Sequence, residues 1–239
     1  NHLHSLKKMP NAIPYVTSYY RKYWGFCISH KKKKEIQKKY KKIPNNKNFF
    51  YTKIESSLNK KGSLTYGELI VPGKFKKEIL ISTYICHPSM ANNELSGPLL
   101  STALARYFSK TDNIFTLRFI FVPETIGAIA YLSKNLKYLK KNVFAGYNLT
   151  RIGDDREYSF LPTKYGNTIS DKAAIKAFKD LKIKYKKYSF LKNRGSDERQ
   201  YNSPGIDLPI ATVMRSKMYP EYHTSLDNFD LVTIKGLAG

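Results

Sequence analysis

The sequence predicts an α/β fold with a mostly parallel sheet, joined to a β-rich accessory module. From Glu78 onward, apolar runs of strand length alternate with helix-length segments, the pattern of successive parallel βα units. These runs are continuous rather than alternating, as expected of strands covered on both faces. Upstream of that point the chain is aromatic, β-branched and broken by turn residues, a composition that suits short strands.

Residues 1–73 are read as the accessory module. Its first part, AIPYVTSYYRKYWGFCISH, is aromatic and β-branched. The cationic run KKKKEIQKKYKKIPNNKN follows, a solvated loop or helix face ending in Pro and Asn turn residues. FFYTKIESSLNKKGSLTYGELIVPG then alternates like a strand, broken by Gly62, Gly67 and the Pro72-Gly73 turn. Residues 74–239 form the core. Its strands are EILISTYIC, TLRFIFVPE, VFAGYNL and LPIATVMR. Its helices are LSGPLLSTALARYFSK, TIGAIAYLSKNLKYLKK and SDKAAIKAFKDL. The second gathers Lys in its last turns, where the helix dipole favours cations. Ser170 is expected to cap the third. The chain opens on Asn1 and closes at Gly239 on what reads as a helix start, so it is expected to be part of a longer protein, truncated at its C-terminus.

Composition limits the function classes. The 239 residues carry 42 Lys+Arg against 18 Asp+Glu, a net charge of +24, with 41% hydrophobic and 14% aromatic residues. That apolar content is too high for a disordered basic tail. No run approaches the roughly 18 apolar residues of a membrane span, and no secretory apolar segment opens the chain. The charge invites a nucleic-acid reading, but 34 of the 42 cations are Lys, whereas base readout and bidentate phosphate clamping favour Arg. A Lys-rich solvated surface is the better reading, and nucleic acid is not the expected partner. Cys27 and Cys86 are too few for a disulfide scaffold, so a reducing, cytoplasmic compartment is expected.

In open α/β sheets ligands sit beyond the carboxyl ends of the strands. The four core strands run into CHPSMANNELSGP, PETIG, TRIGDDREY and MRSKMYPEYHTSLDN. Polar clusters after all four point to one shared site. His87 follows the first strand at once, with Pro88 stiffening the turn. His223 is flanked by Glu221 and Asp227, either of which could orient its second nitrogen. Two His with nearby carboxylates suit zinc. Glu124 ends an apolar strand, where poor solvation would raise its pKa toward that of a general base; a helix-capping role is the competing reading. Cys86 is expected to face the core, since adjacent residues at a strand end point in opposite directions.

The segments STYICHPSMANNELSGP, FVPETIGAIAYL, RGSDERQYNSPGIDLP and YPEYHTSLDN together resemble bacterial aminopeptidase-like proteins encoded near surface-polysaccharide genes. The upstream HSLKKMPNAIPYVTSYYRKYWGFCISH is similar to that family's β-rich module. The resemblance covers nearly the whole chain. It implies a zinc-exopeptidase-like fold, a mixed sheet parallel at its centre and sandwiched by helices. In the wider superfamily of co-catalytic zinc aminopeptidases and glutaminyl cyclases, it matches His87 to the first His, Glu124 to the general base and His223 to the last His.

Three positions depart from that pattern. Asn93, beside Glu94, stands at the bridging Asp. Thr125 stands at the second member of a Glu pair. Thr150 stands at a later Asp, with Asp154 and Asp155 a turn further on. A neutral amide between two dications loses much electrostatic stabilisation, so one zinc is expected rather than two. It would be held by His87, His223 and a carboxylate from Glu94 or Asp197. Competing readings are a helix N-terminal acid for Glu94 and an ion pair with Arg194 or Arg199 for Asp197. Arg194, Arg199, Arg215 and Tyr222 are candidates to bind a substrate carboxylate or other anion.

The expected function is a zinc-dependent hydrolase of a small peptide or another amide, such as an acylated amino sugar. Alternatives are a catalytically degenerate metal- or ligand-binding protein of surface polysaccharide biosynthesis, and a nucleic-acid-binding protein.

Overall fold

A computed structural model describes residues 2–18, 21–41, 51–57 and 59–239. The chain divides into two units: Asn1–Ser63 with Pro220–Leu226 (unit 1), and Leu64–Tyr219 with Asp227–Gly239 (unit 2).

In the described part of unit 1, strand structure is limited to β1 (Leu3–His4) and β2 (Phe26–Cys27), paired in parallel, and a bridge between Pro14 and Thr224. Its longest element is α1 (His30–Tyr40), the cationic run, which buries no residue. Ser29 caps it by accepting from Lys32 N at 3.1 Å. Six Lys on one short helix have no apolar face to bury, so the run is a solvated helix. The expected turn at Pro44–Asn46 lies outside the described residues, as do Phe49 and Phe50.

Unit 2 is built on one seven-stranded sheet. β4 (Phe75–Tyr84) is flanked in parallel by β5 (Phe115–Val122) and β6 (Val143–Leu149), and β9 (Ile210–Met214) runs parallel to β6. β3 (Gly67–Val71) pairs antiparallel with β5 at one edge. At the other edge β7 (Ser159–Leu161) is antiparallel to β9 and parallel to β8 (Lys186–Lys187). The sheet is therefore mixed and parallel at its centre, as the resemblance implied. β3 falls within the segment assigned by sequence to the accessory module, yet its backbone completes this sheet.

Helices cover both faces. α3 (Ile126–Asn142) packs Ala128, Tyr131, Leu132 and Leu139 against Leu80, Ile120, Val122 and Ile210. On the opposite face α2 (Ser96–Phe108) sets Ala105 against Ile81, Leu117, Phe119 and Leu149. Successive residues Leu80 and Ile81 thus enter different cores, the period-two rule of a strand buried on both sides. α4 (Ile169–Asp180) adds Ala174 and Phe178 around Phe160 and Ala211. Its N-cap is Thr168, in a capping box with Asp171, and not Ser170. The Ser170 hydroxyl instead accepts from Gly146 N at 2.9 Å and donates to the Pro209 carbonyl, tying α4 to the sheet.

The start of α2 lies close against the strand ends because of Gly97. A Cβ there would fall against Thr83 Oγ1 and about 2.5 Å from the Leu149 carbonyl oxygen.

Candidate metal centre

The chain leaves β4, passes through α2 to β5 on one side, then crosses through α3 to β6 on the other. Such a reversal opens a crevice beyond the carboxyl ends of the strands. Each of the three loops there holds a non-glycine residue in the left-handed region: Ser89 at φ 60°, Thr125 at 63° and Arg151 at 52°. For a β-branched Thr this conformation is strained and persists only where surroundings impose it. At Thr125 they do. Ile126 N donates to the Glu124 carbonyl at 2.7 Å, and Thr125 N donates to Asp197 Oδ1 at 2.7 Å.

His87 is the centre of the cluster. Its Nδ1 lies 3.0 Å from Glu94 Oε2 and 3.3 Å from Cys86 Sγ, and its Nε2 lies 3.8 Å from Glu124 Oε2. Ligand atoms of Cys86, His87 and Glu94 all fall within 4.8 Å of one another. The neighbouring Cys86 and Glu94 raise the His87 pKa from its usual 6.5 to about 10. Glu94 sits on a π-helical turn, Ala91–Leu95, that precedes α2. Its second oxygen accepts from Cys86 N. Asp227 pins this turn, accepting from Asn92 N at 2.6 Å, Asn93 N at 3.0 Å and the Tyr219 hydroxyl at 2.8 Å. Its carboxylate is thereby committed within unit 2.

Cys86 does not face the core. β4 ends at Tyr84, so strand alternation stops before it; the residue is exposed and its sulfur accepts from Glu124 N at 3.2 Å. Burial raises the Glu124 pKa, partly offset by a hydrogen bond from Ser196 and by the positive charges of His87 and Arg151. Glu124 does not cap α3: the N-cap is Thr125, with no side-chain capping bond.

Asp197 is fully buried and Oδ2 has no hydrogen-bond partner, while Oδ1 holds the Thr125 amide. Burial, together with the charges of Glu124, Glu198 and Glu94, raises its pKa well above the carboxylate range. It makes no ion pair with Arg194 or Arg199. Glu198, missed in the sequence, starts the short helix α6 (Glu198–Tyr201) and accepts from Gly195 N, Ser196 N, Asn148 and Thr212. Ser196, Arg151 and Glu198 carried no sequence signal, since each reads as ordinary loop polarity until the loops are brought together.

The three departing positions form a neutral network or serve structure. The Tyr84 hydroxyl donates to Asn93 Oδ1 at 3.0 Å and accepts from Thr150 Oγ1. Asp154 accepts from Asn92, Arg156 N and Ser216 and has no exposed surface. Asp155 is exposed. Arg215 is buried, donating through Nε to the Asp154 carbonyl at 2.6 Å and stacking 3.7 Å from the Tyr158 ring centre. Arg194 and Arg199 are exposed.

His223 and Tyr222 belong to unit 1. There the two rings stack at 3.9 Å, Tyr15 N donates to the His223 carbonyl at 2.9 Å, and His223 has φ 56°. The sequence had grouped them with His87.

The donor set of unit 2 fits a divalent cation. An imidazole, a thiol and buried carboxylates are gathered at strand ends, and one carboxylate oxygen, Asp197 Oδ2, lacks the partner its burial demands. Mixed nitrogen, oxygen and sulfur donors suit zinc among the common divalent ions.

A family described as a domain of unknown function, DUF4910, matches residues 25–239, and a second, DUF2172, matches residues 1–44. A Clostridium acetobutylicum protein, provisionally named as a polysaccharide biosynthesis protein with an aminopeptidase-like domain, is 41% identical over 99% of this chain and 52% of its own length. A crystal structure of a provisionally named peptidase from Clostridium acetobutylicum aligns at TM-score 0.87 and 39% identity, over 99% of this chain and 54% of that one. An aminopeptidase from Aneurinibacillus sp. strain AM-1 aligns at TM-score 0.61 and 20% identity, over 72% of this chain and 43% of that one. A zinc aminopeptidase from Bacillus subtilis aligns at TM-score 0.59 and 17% identity, over 72% and 46%. The last two share the fold. The chain spans about half the length of the two Clostridium acetobutylicum proteins.

Proposed function

This chain belongs to the DUF4910 family, and from that premise we propose that it is the core of a zinc-dependent, aminopeptidase-like hydrolase acting on a small peptide or another amide. The observation that carries the reading is the buried, unpartnered Asp197 oxygen, in the field of Glu124, Glu198 and Glu94, together with the Cys86, His87 and Glu94 cluster. His87, Glu94 and Asp197 would hold the ion, one per chain, because Asn93 and Thr150 are neutral and already bonded to Tyr84. A bound zinc supplies Lewis acidity toward an amide carbonyl and toward water.

The remaining steps fall to the chain's own residues. Glu124 takes the proton from the attacking water and returns it to the leaving amine, a role suited by a carboxyl whose pKa burial has raised. The Ser196 hydrogen bond and the charges of His87 and Arg151 oppose that rise. The strained Thr125 turn fixes the direction in which Glu124 points. The relative's polysaccharide-related name supports an acylated amino sugar as an alternative to a peptide substrate.

The test is Glu124→Gln, assayed on a library of aminoacyl and acyl-amide substrates. Activity should fall by roughly 10²-fold or more with zinc content unchanged. A chain that binds zinc but turns over nothing in either form would instead support a binding role for the same site.

A further inference from the structure

We propose that a second cleft in unit 2, bounded by α5 (Phe190–Asn193), α6 and the segment around Lys164, binds the phosphate group of a small phosphate ester. The cleft has a volume of about 610 Å³, within the usual range of small-molecule sites. Three cations line it, Lys164, Arg194 and Arg199, together with the apolar Phe190, Leu191 and Pro204.

The decisive feature is what does not neutralise these cations. In sequence, Arg194, Asp197, Glu198 and Arg199 look like a self-compensating loop. In the structure both acids turn inward, Asp197 to the Thr125 amide and Glu198 to Gly195 N, Ser196 N, Asn148 and Thr212. Lys164 is paired with Asp207. Arg194 donates to the Leu191 carbonyl and lies 5.7 Å from the Phe190 ring centre, which orients it without cancelling its charge. Among the described residues the Arg199 guanidinium has no hydrogen-bond or ion-pair partner. Two uncompensated guanidinium forks therefore face one concavity. Planar forks match phosphate oxygens bidentately, and a dianionic phosphate balances a charge of +2. The apolar wall offers a surface for the group that the phosphate esterifies. This inference concerns binding alone and stands independently of the zinc reading.

Phenyl phosphate, inorganic phosphate and benzoate should each be titrated by calorimetry against zinc-loaded and zinc-depleted chain. The expected order of affinity is phenyl phosphate, then inorganic phosphate, then benzoate, the same with and without zinc. Arg194→Gln/Arg199→Gln should weaken phenyl phosphate tenfold or more. Lys134→Gln/Lys137→Gln, an equal loss of charge on the exposed side of α3, should leave it unchanged. Arg199→Lys, which keeps the charge and removes the fork, should fall between these. Absence of binding, an equal loss in both double variants, benzoate binding as well as phenyl phosphate, or dependence on zinc would each overturn the proposal. Melting temperatures of the variants separate lost binding from lost folding.

Discussion

Asp197 concentrates an electrostatic conflict in one side chain. One oxygen serves the Thr125 amide; the other is buried without a partner and lies in the field of three further carboxylates. Leaving a buried charge uncompensated is costly, and a cation removes the cost. Asp197→Asn should therefore raise the melting temperature of the metal-free chain, by roughly 2–4 °C for each kcal/mol relieved. The same change should weaken zinc binding by more than about 10–100-fold, the range for groups that only support the ligands of a metal site. A variant that lowers the melting temperature and binds zinc normally would make Asp197 purely structural. In the sequence Asp197 was one of two candidate carboxylates, because RGSDERQY reads equally well as an ion-paired loop. Burial removes the ion-paired reading, and burial is set by which loops meet. His87 and Glu124 were legible for a different reason: each directly follows a continuous apolar run, and strand ends in such sheets are where ligands bind.

At the scale of elements, the four core strands and three core helices follow from apolar periodicity, and their observed ends lie within a few residues of the expected ones. Periodicity did not reveal the π-helical turn at Ala91–Leu95, because ANNEL continues into SGPL without a break in pattern. That turn presents Glu94 toward His87 and is fixed by Asp227, far away in sequence. Nor did it reveal that β3 joins the main sheet, since backbone pairing across so many residues leaves no local mark. The α2 start offers a direct test. Gly97→Ala would press a methyl group onto Thr83 and the Leu149 carbonyl, which should destabilise the chain by about 1–3 kcal/mol and, through the displaced turn, weaken zinc binding. Chemical denaturation measures the first and metal titration the second. At the far end of β4, Glu78 and Arg118 form a buried pair at 2.6 Å, joined by the Tyr138 hydroxyl. Glu78→Gln leaves Arg118 with Glu68 as its remaining carboxylate partner and should cost about 1–3 kcal/mol without changing zinc affinity.

For the whole molecule, the charge of +24 is the most visible property of the sequence and contributes little to the site. Much of it is Lys on solvated helix faces, α1 above all. Such an excess destabilises the folded chain through self-repulsion that salt screens. Raising ionic strength from about 0.02 to 0.3 M, where the screening length shortens severalfold, should increase the melting temperature measurably. Arg194→Gln/Arg199→Gln should reduce that salt dependence only slightly. No helix of the described residues is long and apolar enough to cross a membrane. The scarce acids are the more informative part of the composition: Glu94, Glu124, Asp197 and Glu198 lie together in unit 2, although only 18 carboxylates are spread through the chain.

The most direct measurement is the zinc content of the purified chain by elemental analysis, paired with its melting curve before and after chelation. The proposed site predicts one zinc per chain, a lower melting temperature on removal, recovery on adding zinc back, and loss of this response in His87→Ala. A chain that holds no zinc, and whose melting temperature zinc does not move, would contradict it.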